Sequence, residues 1–166
     1  MTRIRRVCCV AMTLVAGLTA TLAHGGQAIE ARFFPSPDLQ LEGRWAAPKP
    51  SLRNDPAFNN LVIGETPMTE LRLIVPQAFV GKRVRVHMVV PSATQGLAGN
   101  RGLEVQWTTQ GIFRSGTARP GERVLFYEGT ATGGLLRDFV AYTLRVDATY
   151  MNGPLRFDPV YEIEER

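Results

Sequence analysis

Few residues in this sequence can do chemistry. Its 166 residues include two histidines, His24 and His87, and two cysteines, Cys8 and Cys9. A histidine can act as a general base for a nearby nucleophile, and Ser115 is one candidate. Ser115 stands in Phe113-Arg114-Ser115-Gly116 and lacks the glycine two positions earlier that a nucleophile elbow requires. Paired carboxylates can hydrolyse glycosides. Glu104, Glu122, Glu128, Asp138, Asp147 and Asp158 are available, but each reads as a turn residue or as the polar side of a strand. There is no glycine-rich phosphate loop before a helix, no His-Glu-x-x-His and no calcium loop of alternating acids. This inventory favours a binding or accessory protein over an enzyme.

His24 gains a further property if it becomes a chain terminus. Arg3, Arg5 and Arg6 form a short basic region, and residues 7–23 are uncharged and rich in Val, Ala, Leu and Thr. Ala23-His24-Gly25-Gly26 follows. Basic, then apolar, then small is the order of a secretory signal peptide. Residues 1–25 are therefore predicted to be one, cut between 23 and 26, with a periplasmic or secreted product. Thr21-Leu22-Ala23 and Ala23-His24-Gly25 both offer small residues at the cut and two before it. The first cut makes His24 the amino terminus. Its amino and imidazole nitrogens then chelate one metal ion, an arrangement suited to copper, and His87 supplies a third nitrogen. The pair resembles the histidine brace of copper-binding β-sandwiches, which include lytic polysaccharide monooxygenases and periplasmic copper carriers. That resemblance implies copper as cofactor, with His24 and His87 as its ligands. Arg83 and Arg85 share the strand face of His87, and nearby positive charge disfavours a second cation. A copper site therefore ranks below simple binding.

The same three residues suggest a different use. Arg83, Arg85 and His87 alternate along one strand, so their side chains form a cationic row able to receive an acidic ligand or a partner's carboxylates. Trp45 lies beside Gly43 and Arg44 and belongs to no apolar alternation, so it joins the expected ligand or partner surface. Rings of this kind also stack on sugars, which makes a carbohydrate-binding module a further alternative.

These groups need elements to position them. From residue 69 the sequence reads as one strand after another. Arg83 to Val90 alternates sharply, Val105 and Trp107 share a face, and Val140, Tyr142, Leu144, Val146 and Tyr150 share another. Gly81, Gly99-Asn100, Pro120-Gly121 and Gly133-Gly134 mark turns. Asn152-Gly153 predicts a tight hairpin. No stretch after the signal peptide shows a helical period. The expected fold is all-β, a two-sheet antiparallel β-sandwich of Ig-like or jelly-roll-like kind, with a small β-barrel as the alternative. Val84, Val86, Met88, Val105, Trp107, Val140, Tyr142, Leu144 and Val146 are its predicted core. The charged tail Glu162 to Arg166 predicts an edge strand.

The predicted organisation has residues 26–67 as an irregular, proline-rich segment packed on the domain, and 68–166 as the sandwich. Proline at positions 35, 37, 48, 50, 56 and 67 excludes a long helix from the first of these. Both cysteines fall in the signal peptide, so the mature domain is expected to be cysteine-free, with no disulfide and no thiolate metal site. Three of the 19 basic residues and none of the 15 acidic ones precede His24, so the remainder carries 16 against 15. That balance gives no reason to expect nucleic acid as a partner. No later stretch has the length of a transmembrane helix. The expected partner is another protein of the cell envelope or the extracellular space. Amino-terminal sequencing of the exported protein should find a first residue between His24 and Gln27. An intact Met1 on a membrane-bound product would overturn the signal-peptide reading.

Overall fold

Alternation of buried and more exposed side chains is kept over thirteen positions from Leu135 to Asp147, and this long strand organises the molecule. The computed structural model describes residues 25–34, 42–45 and 60–166, with the 42–45 stretch described as backbone and the Arg44 side chain. The strands are β1 (Gln27–Ile29), β2 (Ala31–Phe34), β3 (Glu42–Trp45), β4 (Leu61–Glu65), β5 (Thr69–Ile74), β6 (Arg83–Val89) and β7 (Gln95–Leu97). They continue as β8 (Leu103–Thr109), β9 (Gly116–Ala118), β10 (Arg123–Thr130), β11 (Leu135–Asp147), β12 (Met151–Arg156) and β13 (Val160–Glu165). No helix among the described residues is long and apolar enough to cross a membrane.

The strands form two antiparallel sheets that face each other, and the sheets do not close into a barrel. Sheet one has the order β1-β13-β6-β10. In sheet two, β11 pairs with β5 along its first half and with β4 along its second. Its other edge pairs with β8 from Val140 to Val146. Outside these lie β2 against β5, β3 against β4 and β9 against β8. Strands β12 and β7 form a separate two-stranded ribbon.

Strand alternation sends one set of side chains between the sheets. Sheet one contributes Val84, Val86, Met88, Tyr161 and Ile163. Sheet two contributes Leu71, Leu73, Val105, Trp107, Val140, Tyr142, Leu144 and Val146. All nine core residues predicted from the sequence are buried. Phe126 and Tyr127 are consecutive and both buried, which a regular strand does not allow. A β-bulge between Leu125 and Tyr127 turns both inward. Tyr142 and Tyr161 meet at their hydroxyls across the gap between the sheets. Burial raises both phenol pKa values above the usual range.

Four local expectations are corrected. β13 is not an edge strand, because β6 lies on one side of it and β1 on the other. Its alternating glutamates mark a solvent-facing side, not an open edge. Asn152-Gly153 does not form a hairpin. It lies within β12, whose residues 151 to 156 bulge against a step from Leu97 to Gln95 in β7. Gly96, at φ +89°, lets the Pro154 backbone approach where any side chain would collide. The long strand stops at Asp147, not Tyr150, because the Asp147 carboxylate accepts from the Thr149 N–H and starts a 3-10 turn. Finally, the stretch 26–67 is not wholly irregular, since β1, β2, β3 and β4 all join the two sheets. The run Leu39-Gln40-Leu41, which the sequence offers as a short extended piece, lies outside the described residues.

The tyrosine pair yields a test. Tyr161→Phe strands the Tyr142 hydroxyl in the core and should cost about 1–3 kcal/mol, the desolvation cost of an unpaired buried hydroxyl. Tyr142→Phe should behave alike, and the double variant should lose clearly less than the sum. Urea unfolding measures all three, and strict additivity would show that the hydroxyls do not interact.

Candidate functional site

The outer face of sheet one carries the cationic row expected from the sequence. Alternation along β6 turns Arg83, Arg85 and His87 outward while Val84, Val86 and Met88 face the core. The neighbouring strands then decide what the row can do. On one side β13 sets Glu162 opposite His87 and Glu164 opposite Arg85. On the other, β10 sets Leu125 opposite His87 and Glu128 opposite Arg85. Arg123 reaches across to Glu162 at 3.0 Å and Glu164 at 2.8 Å. Glu128 receives Arg166 at 2.9 Å, Arg114 at 3.2 Å and Arg85 at 3.5 Å. Burial works against the Glu128 charge, but Arg166, Arg85 and Arg114 outweigh it and hold its pKa below the usual range. Only Arg83 of the predicted row is exposed and without an ion pair among the described residues. This face is a lattice of compensated charge.

His87 sits inside that lattice. Its side chain keeps 11% of its exposure, and Glu164 Oε1 lies 3.8 Å from Nδ1, too far for a hydrogen bond. Nδ1 is buried and has no partner among the described residues. Burial lowers the His87 pKa, the Arg123 charge lowers it further, and Glu164 and Glu162 oppose the shift. The imidazole is therefore held neutral. No group of three or more His, Cys, Asp or Glu among the described residues could hold a metal ion. His24 lies outside the described residues. Gly26 rests on the Arg123–Glu162 pair, where an added Cβ would stand 3.0 Å from the Glu162 Cβ and 3.3 Å from an Arg123 nitrogen. Trp45 closes β3 opposite Val62, and its side chain lies outside what is described.

The outer face of sheet two has a different character. Register places Arg32 of β2, Arg72 of β5 and Arg137 of β11 in one row across the strands. The next row is Phe34, Glu70 and Phe139. The row on the other side of the arginines ends in Ile74 and Leu135. Among the described residues, seven large hydrophobic residues are exposed by more than a third, and five lie here or at the border. They are Phe34, Leu135 and Phe139 on the face, Met68 at the start of β5 and Ile112 in the β8–β9 loop. Arg72 donates to Glu70 at 3.1 and 3.0 Å, and its guanidinium lies 3.8 Å from the centre of the Phe34 ring. The hydrogen bond from Arg72 lowers the Glu70 pKa. Arg32 pairs with Glu30 at 2.6 Å. Arg137 is exposed and has no ion pair among the described residues.

Asp138 fixes the border of this face. It points inward, opposite to Arg137 and Phe139, and is buried. Its Oδ2 accepts the N–H groups of Gly111 at 3.0 Å and Phe113 at 2.8 Å, and Oδ1 accepts that of Phe139 at 2.7 Å. Trp107 Nε1 donates to the Arg114 carbonyl, and Thr109 Oγ1 to that of Phe113, both at 2.7 Å. The Arg114 N–H donates to the Phe126 carbonyl at 2.7 Å and so ties the loop to sheet one. Phe113 is thereby seated in the core and Ile112 is left outside, 51% exposed. Asp138 is a structural carboxylate with its oxygens occupied by backbone donors.

The alternation read from the sequence begins at Val140, so this second face was missed. Extending the alternation back to Leu135 puts Leu135, Arg137 and Phe139 outward, and two large apolar residues at outward positions were the available signal. The residues define an antiparallel β-sandwich with one charge-paired outer face and one apolar and arginine-bearing face. No known protein family, characterised protein or solved structure matches this chain.

His87 makes the charge-paired face sensitive to acid. Its pKa is lower in the folded than in the unfolded chain, so the unfolded chain binds the proton more readily. Its contribution to stability is complete above the unfolded value of about 6.5 and is lost as pH falls from there through the folded value. His87→Gln should flatten that part of the stability–pH curve, as read by urea midpoints. An unchanged curve would show that His87 does not titrate differently on unfolding.

Proposed function

We propose that this is an exported, non-catalytic binding protein that holds a protein partner on the outer face of β2, β5 and β11. One observation carries the reading: of the seven large hydrophobic residues exposed among the described residues, five lie on that face or at its border, beside a row of arginines. Leucine, isoleucine and methionine beside phenylalanine suit an apolar protein surface better than a sugar ring, which favours flat aromatic platforms. Carbohydrate binding therefore stands second within the same class. Export to the periplasm or beyond rests on the basic, apolar and small-residue order of residues 1–25.

Copper held by His24 and His87 is kept as a separate reading on the strength of Gly26. That residue lies over the Arg123–Glu162 pair, and Glu162 stands opposite His87 in the register. The Arg123 guanidinium beside it opposes a cation there. The reading also requires His24 at the mature terminus, and a first residue of Gly25 or later removes it.

A photo-crosslinking phenylalanine analogue placed at Phe139, and another at Arg83 on sheet one, tests the main proposal in cells that export the protein. A discrete protein adduct from position 139, absent from position 83, is the expected result. Equal adducts from both positions would overturn the assignment of the face. So would retention on a polysaccharide that Phe139→Ala abolishes.

A further inference from the structure

The rows on the outer face of sheet two are complementary to themselves. Consider two copies face to face, related by a two-fold axis parallel to the rows and passing over Leu71, between Arg72 and Glu70. The rotation lays the arginine row of one copy over the Phe34–Glu70–Phe139 row of the other. Arg72 then meets Glu70 of the second copy, Arg32 meets its Phe34, and Arg137 meets its Phe139. Each contact is made twice, as a closed two-fold interface requires. One row further out, Ile74 falls over Met68, and Leu135 falls over the residue beside Phe139 on its far side, Ala141. Apolar groups thus meet apolar groups, and guanidinium groups meet a carboxylate or a ring.

We infer that the partner on this face is a second copy of the chain. This rests on the binding reading above and names its occupant. Three features support it. Arg137 is exposed, has no ion pair among the described residues and acts on Glu70 only through its charge, so its guanidinium is open to a ring from another molecule. The fold already builds the same contact once, with Arg72 over Phe34 at 3.8 Å. The alternative orientation, with arginine rows superposed, would stack like charges and is disfavoured. A foreign partner would need a matching pattern of acids and apolar groups, whereas the second copy brings that pattern with it.

Sedimentation velocity on the full exported protein, over a wide range of concentration, should show a monomer–dimer equilibrium. Glu70→Arg and Arg72→Glu should each weaken the dimer by roughly tenfold or more, because each places like charges across the axis. The double variant Glu70→Arg with Arg72→Glu restores opposite charges both within and between copies and should recover dimerisation. That recovery also separates a lost contact from a misfolded variant. A crosslinker at Phe139 should join two copies. A native protein that stays monomeric at every concentration would overturn the inference. If position 139 then crosslinks to a different protein, the binding reading survives without it. Crosslinks within one chain to residues 35–59 would overturn both. A dimer indifferent to either single charge change would put the interface elsewhere and overturn the inference too.

Discussion

Hydrogen bonding along both edges of β11 is the constraint on which the rest of the molecule depends. Its first half is held by β5, its second half by β4, and Val140 to Val146 by β8 on the opposite edge. A one-residue slip would reverse every side chain of a strand. In β11 such a slip would put Arg137, Phe139 and Arg145 between the sheets and Tyr142 and Leu144 in water. Three neighbouring strands oppose it at once. The same register aligns Arg32, Arg72 and Arg137, so the outer face of sheet two is a by-product of the pairing that builds the core.

The described residues include no cysteine, so no disulfide among them joins the two sheets, which adhere mainly through their inner faces. Most of that adhesion is non-directional burial of Val, Leu, Ile and Met. The directional part is small and central. Tyr142 and Tyr161 share a hydrogen bond across the gap, with Phe33 and Phe157 against Tyr142 and Phe126 against Tyr161. Phe113, Phe126 and Trp107 continue this aromatic group towards the β8–β9 loop. The loop then binds Asp138 and closes one side of the sandwich. Aromatic packing and a few buried hydrogen bonds thus set the relation between sheets that apolar contact alone would leave loose.

Alternation made the sandwich and its core legible in the sequence, because period-two burial is a local property of each strand. Val84, Val86 and Met88 could be assigned inward without knowing their neighbours. What Arg85 and His87 do outward could not, because Glu128, Glu162 and Glu164 come from strands distant in sequence. A cationic row in the sequence became a neutralised lattice in the fold for that reason alone. The bulge that buries both Phe126 and Tyr127 was hidden similarly, since a bulge is a property of a pair of strands. β1 and β2 were hidden for a third reason. They are three and four residues long, too short for alternation to declare itself.

Charge compensation differs between the two outer faces, and that difference separates structure from display. On sheet one, glutamates of β13 and β10 lie directly opposite the outward residues of β6, and arginines reach across from one strand to the next. Such a lattice binds three strands together, and its charges are already satisfied. Around the arginine row of sheet two the pairs Arg32–Glu30 and Arg72–Glu70 are local, two residues apart along the chain. Pairs of that kind do nothing to hold neighbouring strands and leave the row between them open. Elsewhere on sheet two, Arg44–Glu65 and Arg145–Glu104 do cross between strands, but around Leu135 and Phe139 cohesion comes from the backbone ladders of β11. Large apolar groups persist at Leu135 and Phe139 although the core gains nothing from them. Exposed phenylalanine on strands already fixed by the ladders is thus a feature that the packing of the sandwich does not require.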